Sequence, residues 1–216
     1  MPRWPFSPLP SFGRLAPVLF LFLLAAPACA QELPARLELS GTLTYFIADG
    51  PAESGMRPGD RTLAEWALEA WVSQASSPVE LVPAPEAEAT IRIYWAGAAS
   101  GLYGQMLGGE RDGRFVASVF VWPDTDGLGP GIARAAREDP LFRDTVVYLT
   151  CVHELGHAFG LRHTSAFEDI MYSFQYGGDF VAYFMRFREE LGARSDIRGA
   201  NPFSGADRRA FQRLHP

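Results

Sequence analysis

The chain has 216 residues, of which 48% are hydrophobic and 20% charged. That mix can bury a core and excludes a disordered chain or a disulfide-stapled miniprotein. All 19 basic residues are Arg, and against 25 acids they leave a net charge of −6, which argues against nucleic acid or an anionic membrane as the main partner.

The first feature along the chain is the apolar run at 15–26, preceded by Arg3 and Arg14 and followed by Ala28-Cys29-Ala30. A bilayer span takes about 20 residues, so residues 1–30 read as an export signal cut before Gln31. The expected location is extracellular or periplasmic. A lipid anchor at Cys29, holding the protein at the cell surface, is the alternative end for the same leader. No later segment approaches membrane length, so no transmembrane body is expected. Without Cys29, Cys151 has no partner for a disulfide.

Residues 37–47 are rich in Thr, Tyr, Phe and Ile and read as a first strand. A Gly- and Pro-rich loop over 49–59 leads to Asp60, which is read as a helix cap. Behind it Leu63, Trp66, Ala67, Ala70 and Trp71 form an apolar stripe at helical spacing, and Pro78 ends the segment. Residues 79–82 and 90–96 read as strands around a polar turn. Six glycines between 97 and 113 read as a surface loop. Residues 115–122 form a strand that is apolar on both faces, and 115–121 are nominated as the sheet edge along which an extended substrate would lie. Asp124-Thr125-Asp126-Gly127 resembles the start of a calcium loop, but the required downstream Glu is missing, so a solvated turn is expected and calcium is unsupported. A short helix over 132–137 and a long one over 141–160 follow. Strands first and helices later give an α+β class.

The chemistry concentrates at 153–163. His153 and His157 are four residues apart, which on a helix is about 40° of rotation and 6 Å of rise, so both rings leave one face. Two imidazoles on a rigid helix offer a preset bite for Zn²⁺. Glu154 lies beside that face, suited to a water near the metal. Gly160 allows a sharp turn at the helix end, from which His163 can return as third ligand. Three His ligands leave one position for water, whose pKa zinc lowers towards about 7.

The string His153-Glu154-Leu155-Gly156-His157-Ala158-Phe159-Gly160-Leu161-Arg162-His163, followed by Met171, resembles the metzincin zinc endopeptidases, and within them the matrixins. The resemblance implies one catalytic zinc ion on His153, His157 and His163, Glu154 as general base, and Met171 in a Met-turn beneath the metal. It also implies a metzincin-like catalytic domain over 31–216. This would be a twisted, mostly parallel sheet with a backing helix and an active-site helix in an upper part (31–160), and a small lower part (161–216). Ser204 with Asp207 at the N3 position resembles the cap of the family's C-terminal helix. Departures from the family are Thr164 and Ser173, where Ser and Pro are usual, and a longer connection over 177–203. In that connection Phe180, Tyr183, Phe184, Phe187 and Leu191 fall at helical spacing and read as packing, with a partner- or substrate-binding helix as the alternative. Only His215 remains for a second zinc site, which is therefore not expected.

The expected function is an exported, monomeric zinc endopeptidase acting on a protein or peptide substrate through a zinc-bound water activated by Glu154. A secreted zinc-stabilised binding protein that has lost catalysis is the alternative.

Overall fold

The computed structural model describes residues 35–97 and 102–216; the leader read at 1–30, Cys29 included, lies outside the described residues. Five strands form one sheet: β1 (Gly41–Ile47), β2 (Val79–Pro83), β3 (Ile91–Trp95), β4 (Gly104–Arg111) and β5 (Arg114–Val121). Their spatial order is β2-β1-β3-β5-β4, with every pairing parallel except β4 on β5. The helices are α1 (Asp60–Val72), α2 (Pro130–Glu138), α3 (Pro140–Ala158), α4 (Phe180–Arg188) and α5 (Gly205–Leu214). This is the α+β class read from the sequence. Among the described residues no helix is long and apolar enough to cross a membrane.

Alternation decides which face of the sheet is covered. Ile91, Ile93 and Trp95 of β3 and Ala117, Val119 and Val121 of β5 are buried in the core. The opposite face carries Tyr94 and Phe120, stacked at 5.2 Å. Against the covered face pack α1 and α3. On α1 the buried apolar residues are Leu63, Ala64, Ala67, Leu68 and Trp71, a stripe rotated from the one read in sequence. Trp66 sits at its margin, under the Arg194 guanidinium at 5.3 Å. Trp71 ties three helices together. Its Nε1–H donates to the Val152 carbonyl of α3 at 2.8 Å, and its ring stacks on Phe211 of α5 at 5.0 Å.

Two expectations at the sheet are corrected. Residues 104–111, read as loop, are the strand β4. Its glycines hide the side-chain alternation, and the strand is held instead by backbone pairing along all of β5. The hairpin turns at Asp112-Gly113, both at positive φ (52° and 74°), the geometry of a two-residue turn matched to strand twist. In consequence residues 115–121 are not an edge. They lie between β3 and β4, and β4 is the edge.

Asp60 opens α1, but its carboxylate makes no bond to the helix's own N–H groups. Instead it accepts from the Arg57 N–H at 2.8 Å and takes both ends of the Arg143 guanidinium, one of them at 2.8 Å. Arg143 also donates to the Pro123 carbonyl at 3.1 Å, and both partners of the ion pair are 1% exposed. An ion pair out of water is stabilising only while both charges are present. Asp60→Ala is therefore expected to cost about 3–5 kcal/mol, read by urea unfolding, whereas replacing the pair together by Leu and Met should cost much less.

Candidate metal centre

Helix α3 starts at Pro140 with Asp139 as its cap, the carboxylate accepting from the Leu141 N–H at 2.9 Å. It presents His153 and His157 on successive turns, ring centroids 4.9 Å apart. The helix stops because Gly160 takes φ 90°, a left-handed value open to glycine. The Leu161 N–H folds back onto the Gly156 carbonyl at 2.9 Å. This reversal brings His163 Nε2 to 3.2 Å from His153 Nε2 and 3.1 Å from His157 Nε2. The three donor atoms lie within 4.8 Å of one another.

Two of the three rings have their protons assigned by backbone carbonyls. His153 Nδ1 lies 2.7 Å from the Ile170 oxygen, and His157 Nδ1 lies 2.9 Å from the Leu161 oxygen. A carbonyl can only accept, so each Nδ1 donates and each Nε2 turns a lone pair inward. Burial, reinforced by the neighbouring His157, pushes His153 down to about 3. Burial also lowers His157 and His163. Neutral imidazoles whose lone pairs meet repel one another unless a cation lies between them. Tetrahedral zinc at its usual bond length sets ligand nitrogens about 3.3 Å apart, close to the spacing found here. The donor set and its spacing fit zinc.

Glu154, 6% exposed, packs against Gly104 of β4 and lines the same cleft as the triad. A methyl group on Gly104 would lie 2.6 Å from Glu154 Cγ and 2.8 Å from Oε1, so only glycine at that place in the edge strand leaves room for the carboxyl. Burial pushes Glu154 up to about 8, against a small opposing pull from the Met106 backbone N–H. Triad and carboxyl open on one cleft of about 380 Å³, lined also by the apolar side chains of Leu149, Phe174, Tyr183 and Phe184.

Met171 lies under α3. A side chain on Gly156 would overlap Met171 Sδ and come within 3.0 Å of the Trp71 ring. The segment returns alongside the third histidine, with the Thr164 N–H donating to the Met171 carbonyl at 2.8 Å and the Ser173 N–H to the Thr164 carbonyl at 3.0 Å. Cys151 is a free thiol fully buried in the core. Asp124 caps its own turn by accepting from the Asp126 N–H at 3.0 Å, and Thr125 and Leu128 of that turn are buried. The sequence reading missed Gly104, Tyr183 and Phe184 as parts of the cleft. For Gly104 a signal existed, because Asp112-Gly113 between two extended runs marks a hairpin.

A family model described as matrixin matches residues 38–180. The chain belongs to the matrixin family. The matched segment takes in all five strands of this matrixin, the three histidines, Glu154 and Met171. The family is one of zinc metalloendopeptidases, and the triad is a donor set that could hold the metal. No curated protein sequence matches the chain.

Gly156 offers a direct check on the packing beneath the triad. In an ordinary helix Gly→Ala gains up to about 1 kcal/mol. Here the methyl group meets Met171 and Trp71, and Gly156→Ala is expected to lose about 1–3 kcal/mol in urea unfolding of the metal-free protein. In a Met171→Ala background the loss should shrink, and the non-additivity measures the contact.

Proposed function

We propose that this matrixin is an exported zinc endopeptidase that cuts internal peptide bonds of a protein or peptide substrate. His153, His157 and His163 are its zinc ligands and Glu154 is its general base. The observation that carries the reading is the convergence of three inward-facing imidazole nitrogens beside a buried carboxyl in an open cleft. Zinc in that position supplies Lewis acidity to the scissile carbonyl and acidifies water.

The protein's own groups do the rest. Glu154 Oε1 accepts a proton from water as the oxygen attacks, and Glu154 later delivers that proton to the leaving amine nitrogen, so the carboxylate is regenerated. The Ile170 and Leu161 carbonyls keep His153 and His157 in the tautomer that leaves Nε2 free. Met171 is an apolar floor that excludes water from beneath the triad. The substrate lies extended along β4, whose outer side carries backbone groups without a neighbouring strand, and backbone pairing gives affinity with little demand on sequence. The apolar wall of the cleft takes a substrate side chain.

The catalytic domain is taken as 31–216, split by the cleft near residue 160. Export rests on the leader at 1–30, with a lipid anchor at Cys29 as the alternative, and the working unit is a monomer. Purified protein is expected to carry one zinc per chain, to cleave within a peptide library, to lose cleavage on chelation and to regain it with zinc. Glu154→Gln should keep the zinc and lower cleavage about 10²–10⁴-fold. Undiminished cleavage by that variant would falsify the base assignment. Zinc-loaded wild type that cuts nothing would favour the binding-protein alternative.

A further inference from the structure

Past its first residue, α4 lies outside the segment matched by the family model, which ends at residue 180. Tyr183, on its buried face, is 3% exposed. Its hydroxyl lies 3.1 Å from the Asp169 carbonyl oxygen and 3.2 Å from that of Ile170. Both partners are acceptors, so the phenol donates and its one proton is shared between them. The Ile170 oxygen is also the acceptor of the His153 Nδ1–H at 2.7 Å. One carbonyl thus receives an imidazole and a phenol, which uses both of its lone pairs. On its other side the Ile170 N–H is held by Asp207 Oδ2 of α5 at 2.9 Å.

We propose that Tyr183 is a positioning residue of the zinc site: its hydroxyl fixes the Ile170 carbonyl in the direction from which that carbonyl orients His153. The proposal rests on the reading of the triad as a zinc site. A ligand imidazole takes its tautomer and ring angle from the partner of its other nitrogen, and here that partner is steadied by α4.

The phenol is itself held from several directions. Its ring stacks on Tyr172 at 5.9 Å and meets Phe167 edge-on at 5.6 Å. The Arg186 guanidinium lies 4.3 Å over the ring and donates to the Phe167 carbonyl at 2.6 Å. At the end of α4, Arg188 Nε donates to Asp139 Oδ2 at 2.6 Å, the residue that caps α3. Helix α4 therefore bridges the start of the histidine-bearing helix and the loop that carries Met171. Burial raises the Tyr183 pKa, which keeps the hydroxyl a donor. Tyr148 provides the contrast. It is another buried tyrosine of the core, stacked on Phe187 of α4 at 5.5 Å, and its hydroxyl has no partner among the described residues.

The test compares wild type, Tyr183→Phe and Tyr148→Phe in the full chain. Zinc affinity is measured by competition with a chromophoric chelator, and ligand geometry by the absorption bands of the cobalt(II)-loaded protein. Tyr183→Phe keeps the ring and its packing and should weaken zinc binding about 10–100-fold, with displaced cobalt bands, while Tyr148→Phe stays at the wild-type value. Wild-type affinity and an unchanged cobalt spectrum in Tyr183→Phe overturn the proposal, as does an equal loss in Tyr148→Phe. Should Tyr183→Phe fail to fold, fluorotyrosine placed at 183, a stronger donor, must move both readouts, and no movement overturns the proposal. Wild type that binds no zinc overturns the zinc reading itself, an outcome distinct from wild type that binds while Tyr183→Phe binds equally well.

Discussion

Three neutral imidazoles aimed at one point are an unfavourable arrangement for a protein without a cation. The His153 and His157 rings are half-buried while His163 stays exposed, and their lone pairs repel at the separations found. Something must hold them there, and the surrounding fold supplies it as backbone acceptors. The Leu161 carbonyl is delivered by the Gly160 turn. The Ile170 carbonyl is delivered by a loop pinned to α4 and α5. Gly156 lets Met171 reach the underside of the histidine helix. The segment from Gly160 to Met171, with α4 and α5 behind it, thus orients two hydrogen-bond acceptors and one thioether.

The same logic explains why α3 is anchored so firmly. Arg143, near its start, is locked to Asp60 and to the Pro123 carbonyl. Trp71 bonds to the carbonyl just before His153 and stacks on α5. A ligand pair on a helix is only as well placed as the helix, and these contacts reach α3 from elements distant in sequence.

What could be read beforehand follows from how local each feature is. The histidine helix, its Gly160 stop and the return of His163 lie within one short stretch, so helical geometry and the freedom of one glycine suffice to bring the rings together. The Ser204–Asp207 cap is equally local, and it is present, with both N–H groups held by the Ser204 hydroxyl. The Asp60–Arg143 pair spans 83 positions, and no periodicity reports it, so the local pattern around Asp60 points only to the nearer task of capping. Strand β4 failed for another reason. Glycines at 104 and 108 are there because Glu154 and the Phe115 ring occupy the space of their side chains, so composition pointed to a loop while tertiary packing required a strand. Helix α4 showed its apolar stripe but not its destination, since the carbonyls that Tyr183 meets are set only by the folded loop.

The outer side of β4 has a consequence for the protein's behaviour at high concentration. A strand with a free backbone edge invites pairing by any extended chain, a second copy included. Here that edge is poor in grip: Gly104, Gly108 and Gly109 leave little for a neighbouring strand to zip against, and Glu110, Arg111, Asp112 and Arg114 put charge at the hairpin tip. Leu107 is its one exposed large apolar side chain. The glycine that admits Glu154 thus sits on an edge that offers little side-chain surface for fibril-like stacking.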